Sequence, residues 1–69
     1  MKEFPLDGSE FIPLCDLMKI VDFTGSGAEA KHIISEGKVK VDGQTELRKR
    51  CKVRAGQVVE YQGKLVKVI

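Results

Sequence analysis

The residues of this chain best equipped for chemistry are its cations. Arg48-Lys49-Arg50 is followed at once by Lys52 and Arg54, and Lys31, His32, Lys38 and Lys40 come shortly before. A guanidinium presents a planar fork of donors that matches two phosphate oxygens, and an ammonium acts as a mobile point charge, so the set suits a polyanion backbone. The competing reading of any such run is a solvated face. Charge along the chain favours a binding role. Residues 1–30 hold two lysines against six carboxylates, a balance of −4, whereas residues 31–69 hold ten Lys or Arg against four carboxylates, a balance of +6. A domain folded from these halves is electrically polarised, and partners respond to that local field rather than to the formal total of +2.

Catalytic and metal chemistry find no such support. His32 is the only histidine, so one imidazole would have to serve every role of a nucleophilic set or a metal centre. Cys15 and Cys51 lack metal-ligand spacing, and free cysteines are usually small core hydrophobes. There is no P-loop and no dinucleotide-binding glycine fingerprint. The expectation is a protein that is not an enzyme and uses neither cofactor nor metal. Unpaired cysteines and the lack of a secretory h-region place it in the reducing cytoplasm. The apolar stretches are interrupted by Asp16, Lys19 and Asp22, and none reaches the roughly 18 residues of a bilayer span.

The elements that must position the cations can be read from periodicity. At 69 residues the chain makes one domain, 1–69, with a core but no large enclosed site. Lys2–Leu6 contains Pro5 and suits an edge strand. Leu14, Leu17, Met18 and Val21 recur at helical spacing, predicting a helix over Pro13–Val21 with Pro13 in its first turn. Ser26-x-x-Glu29 is a capping box that opens a second helix, whose core face is Ala30, Ile33 and Ile34, and Gly37 stands where a left-handed residue closes it.

Beyond Gly37 the period becomes 2. Val39 and Val41 lead into the hairpin signal Asp42-Gly43. Val53, Val58–Tyr61 and Leu65–Ile69 follow as strands, punctuated by Ala55-Gly56 and Gln62-Gly63. The fold class is therefore α+β: two short helices packed on a small antiparallel sheet, with sequential hairpins favoured by the short connections. Phe4, Phe11, Phe23 and Tyr61 are assigned to the core. Without exposed aromatics, recognition would rest on backbone and shape rather than on base stacking.

These residues resemble a known family, the S-four-type RNA-binding domain, also called the alpha-L motif. The matching stretch is Ser26-Gly27-x-x-Ala30-Lys31-His32-Ile33-Ile34-x-x-Gly37-x-Val39-x-Val41-Asp42-Gly43, followed after a gap by Val53-x-Ala55-Gly56-Gln57-x-Val59. It covers about half the chain, and at this length the chain looks like the short bacterial members. The resemblance implies RNA contacts from the second helix and the following hairpin. On this sequence these are Lys31, His32, Lys38 and Lys40 with Arg48, Lys49, Arg50 and Lys52. It also implies structured RNA, ribosomal or transfer RNA, as partner. Three positions depart from the pattern: Gly27 replaces a frequent basic residue, Asp42 a frequent Asn, and Gln57 a frequent Asp.

Two other readings stay open at the level of sequence. One is a protein-interaction adaptor that docks a partner through the acidic leader Glu3, Asp7 and Glu10. The other is duplex-DNA binding, since DNA offers the same phosphates. The chain is expected to act as a monomer.

Overall fold

Helical spacing from Leu14 onward closes into α1, Leu14–Ile20, in a computed structural model that describes residues 1–69. The helix is shorter than its periodicity predicts. Pro13 is not its first residue but its N-cap, in extended conformation, and the helix ends at Val21 followed by Asp22 in the left-handed region, φ 67°. Pro13 supplies no capping side chain. The orphan donors of the first turn are met from elsewhere: Leu14 N–H donates to the Cys51 carbonyl at 2.9 Å and Cys15 N–H to the Lys49 carbonyl at 3.1 Å.

Helix α2, Gly27–Ser35, begins as its capping signature requires. Ser26 Oγ accepts from Glu29 N–H at 3.1 Å, and the Glu29 carboxylate reaches one residue further back than in a standard box, accepting from Gly25 N–H at 2.7 Å. Gly37 adopts φ 76° and donates to the Ile34 carbonyl at 3.0 Å, which stops the helix and turns the chain into the sheet.

The strands are β1 (Lys2–Phe4), β2 (Ile12–Pro13), β3 (Val39–Val41), β4 (Gln44–Thr45), β5 (Lys52–Val53), β6 (Val58–Tyr61) and β7 (Lys64–Val68). They form a five-stranded sheet in the order β1-β7-β6-β3-β4 and a separate ribbon, β2-β5. The α+β class stands as expected, but the pairing differs from a run of sequential hairpins. Only β3-β4 and β6-β7 are hairpins, turned by Asp42-Gly43 (φ 53° and 80°) and Gln62-Gly63 (φ 52° and 76°). Strand β3 pairs across the intervening chain with β6, Val39 opposite Tyr61 and Val41 opposite Val59. The sheet is antiparallel from β7 to β4, and β1 joins it in parallel, Lys2 opposite Val66 and Phe4 opposite Val68. Strand β5 leaves the sheet altogether because its partner, β2, lies directly before α1.

Period-2 alternation directs Val39, Val41, Val59, Val66 and Val68 to one side of the sheet, where they bury against Leu14, Leu17, Met18, Ala30 and Ile34 of the helix pair. Cys15 and Cys51 are free thiols within this core, and burial pushes the Cys51 thiol above its ordinary pKa. Phe23 and Tyr61 are buried as expected, and Phe4 packs half-buried against the core. Phe11 does not join it; it stands half-buried on the outward side of the β2-β5 ribbon.

Candidate nucleic-acid interface

The segment that carries Arg48, Lys49, Arg50 and Lys52 has little regular structure, yet its backbone is pinned. Two of its carbonyls cap α1, as described above, and Cys51 N–H donates to the Arg48 carbonyl at 3.2 Å. Buried Cys51 and Val53 anchor it from below. The basic side chains consequently project outward from a fixed frame. Arg48, Arg50, Lys52 and Arg54 surround an open concavity of about 550 Å³. Arg54, adjacent to the cluster in sequence but outside the contact set inferred from it, is thus part of this surface.

The cations are not equivalent. Arg48 is clasped by Glu46: Nε donates at 2.9 Å, Nη2 at 3.1 Å and the Arg48 backbone N–H at 2.9 Å. The side-chain hydrogen bonds from Arg48 hold the Glu46 carboxyl down to about 2, well below its ordinary 4.5, and the Arg48 guanidinium is pushed up in turn. Lys49, Arg50, Lys52 and Arg54 have no carboxylate within ion-pairing distance. Their charge is available to an external anion.

On the helical side, Lys31 and His32 are exposed on α2. His32 Nε2 lies 3.4 Å and Lys38 Nζ 3.2 Å from the two oxygens of Glu36, so one carboxylate serves both. Lys31 is unpaired. Lys40 stands elsewhere: with Val39 and Val41 buried on the helix side, Lys40 projects from the opposite face of the sheet, in register with Thr45 and Glu60. The eight sequence-selected residues therefore fall into a basic loop, a helix group of Lys31, His32 and Lys38, and Lys40 on the outer sheet face.

Sequence reading missed two features of this part of the surface. Asp42 and Gln57, two of the departures from the family pattern, touch each other: Gln57 Nε2 donates to Asp42 Oδ2 at 3.3 Å, and Asp42 Oδ1 accepts from Val58 N–H at 3.0 Å. Gln57 Oε1 accepts from Arg54 N–H at 2.8 Å, so the pair ties the turn carrying Arg54 to the β3-β4 hairpin. The second is Phe11, whose ring centroid lies 5.0 Å from Lys52 Nζ and 5.6 Å from Arg54 Cζ. The three-residue alternation Phe11-Ile12-Pro13 was the signal for its outward position, too short to separate from a loop.

Comparison with known proteins accords with the fold. A family model described as S4 domain matches residues 4–69. The Escherichia coli (strain K12) protein YbcJ is 49% identical over 69 residues, covering 100% of this chain and 99% of its own. Its solution structure, described as revealing an alpha-L motif involved in RNA-binding, superposes with a TM-score of 0.77, covering 100% of this chain and 87% of that one. The Bacillus subtilis (strain 168) protein RlbA, named "Probable ribosome maturation protein", is 36% identical over 55 residues, covering 80% of this chain and 78% of its own. With the family model spanning nearly the whole sequence and a 49% identical relative covering all of it, the chain belongs to the S4 domain family.

Proposed function

We propose that this protein binds structured RNA, with ribosomal RNA favoured over transfer RNA, through phosphate contacts from the basic loop and from α2. The observation that carries the reading is the concavity bordered by Arg50, Lys52 and Arg54: three cations without carboxylate partners on a backbone fixed to the core. Pre-positioned cations lose less freedom on binding than a mobile tail does. The RNA-binding motif described for YbcJ supports the class of ligand, and the ribosomal role in the name of RlbA supports ribosomal RNA.

The proposed contact set is Lys49, Arg50, Lys52 and Arg54 in the loop, with Arg48 joining once it is released from Glu46, and Lys31, His32 and Lys38 on the helical side. Lys40 supplies long-range attraction from the far sheet face. Catalysis plays no part in the reading.

The test is a titration of the protein with a ribosomal RNA helix and with the DNA duplex of the same sequence. A-form geometry and 2′-hydroxyls distinguish the two, while their phosphates do not. Tighter binding to RNA that survives rising salt supports the reading. Equal affinity for both duplexes at every salt concentration assigns the surface to nucleic acid in general and overturns the RNA preference.

A further inference from the structure

The outward face of the β2-β5 ribbon holds more than phosphate binding requires. Ile12 pairs with Val53 and Pro13 with Lys52. Ile12 and Val53 point inward, 8% and 0% exposed, so the alternate residues Phe11, Pro13, Lys52 and Arg54 face away from the core. A phenyl ring left outside a core this small forgoes burial that would stabilise the fold. The groups over it are two cations, Lys52 and Arg54, at 5.0 and 5.6 Å. Attraction between a cation and the ring holds those side chains against it, and the Gln57 bond to Arg54 N–H holds the backbone beneath. The result is an aromatic ring flanked by an ammonium and a guanidinium beside the basic concavity.

A continuous duplex offers such a surface only its phosphates, because its base faces are already stacked. An unpaired base exposes a π-face that stacks on aromatic rings or on guanidinium planes. We propose that Phe11 and Arg54 form a stacking subsite for one unpaired RNA base, whose flanking phosphates lie along Arg50 and Lys52. The protein then selects a helix interrupted by a bulge, loop or frayed end over an uninterrupted one. This inference rests on the RNA-binding reading above.

The test uses two RNA hairpins with the same stem, each carrying 2-aminopurine at one position, unpaired in a single-nucleotide bulge in one and opposite uridine in the other. The parent protein is expected to prefer the bulged hairpin and to quench its 2-aminopurine fluorescence. Phe11→Leu is expected to lose about tenfold in affinity for the bulged hairpin, with quenching abolished and with affinity and salt dependence for the paired hairpin unchanged. Phe11→Tyr keeps the ring and the preference. Arg54→Lys keeps the charge but lacks the plane, and loses most of the quenching. Parental preference and quenching in Phe11→Leu overturn the subsite. Should that variant fail to fold, the same result in Arg54→Lys overturns it. A parent that binds neither hairpin overturns the RNA-binding reading instead.

Discussion

The Arg48 guanidinium donates through Nε and Nη2 to the two oxygens of Glu46, at 2.9 and 3.1 Å, and closes an intramolecular clasp at the entrance to the basic loop. The clasp withdraws one cation from the set available to phosphate, since a guanidinium already matched to a carboxylate must break that match before forking onto another anion. Glu46→Gln is therefore expected to tighten RNA binding at low salt and to steepen the dependence of log affinity on log salt by about one unit, one additional phosphate contact. Fluorescence anisotropy across a salt series reads both. An unchanged slope would show that Arg48 faces RNA equally well while clasped.

The same pair sets an acid dependence. The folded-state pKa of Glu46, about 2, lies below its ordinary 4.5. Stabilisation from ionised Glu46 is fully present above the unfolded value and is lost as pH falls from about 4.5 towards 2. Carboxyl-detected NMR should show Glu46 titrating with a midpoint near 2, and Glu46→Gln should flatten part of the stability decline in that window. A Glu46 midpoint near 4.5 would mean that the clasp is open in solution.

Neutralising Arg48, Lys49 and Arg50 together is expected to reduce the salt slope by about 2 units, since Glu46 already withholds Arg48, and to leave the fold intact. The loop is held by the carbonyls of Lys49 and Cys51, which alanine retains. A triple variant with parental affinity and slope would remove the cluster from the interface.

Lys31 separates attraction from repulsion. Its exposure on α2 without a carboxylate partner predicts RNA affinity in the order parent, Lys31→Ala, Lys31→Glu, with melting temperatures nearly constant. The order should flatten at high salt. If all three bind alike at low salt while a protein partner is captured through Glu3, Asp7 and Glu10, the adaptor reading takes precedence.

Two scaffold positions can be checked by thermal melts. Ser26→Ala should cost about 1 kcal/mol through the lost bond to Glu29 N–H. Gly37→Val should cost more. A side chain there has room, 3.7 Å from Leu47 and Thr45, so the cost comes from the positive φ of 76° that a β-branched residue resists. Parental stability in both would contradict the cap and the helix stop described above.

These local devices were legible because they operate within a few residues: Ser26 caps its own helix, Gly37 ends it, and Asp42-Gly43 turns its own hairpin. Strand partnership was less so. Nothing in Val39-Lys40-Val41 distinguishes the next strand from β6 as its second neighbour, and Lys52-Val53 is too short to reveal that it pairs with Ile12-Pro13. The cations were visible as a cluster, but their inequality was not. Glu46 lies two residues before Arg48 in a segment without periodicity, so no pattern announces that they meet. Phe11 was assigned to the core by residue type alone, and only the ribbon register turns it outward.

The parallel pairing of β1 with β7 joins the first strand to the last, Glu3 opposite Lys67 and Ile69 N–H bonded to the Phe4 carbonyl at 2.9 Å. On a ribosome adding about 5–20 residues each second, Lys2–Phe4 emerges early and waits several seconds for a mate. The two helices are complete well before then. Closure of the sheet thus waits on β7, and a chain truncated just short of Val66 would leave β1 and β6 without the neighbour they share.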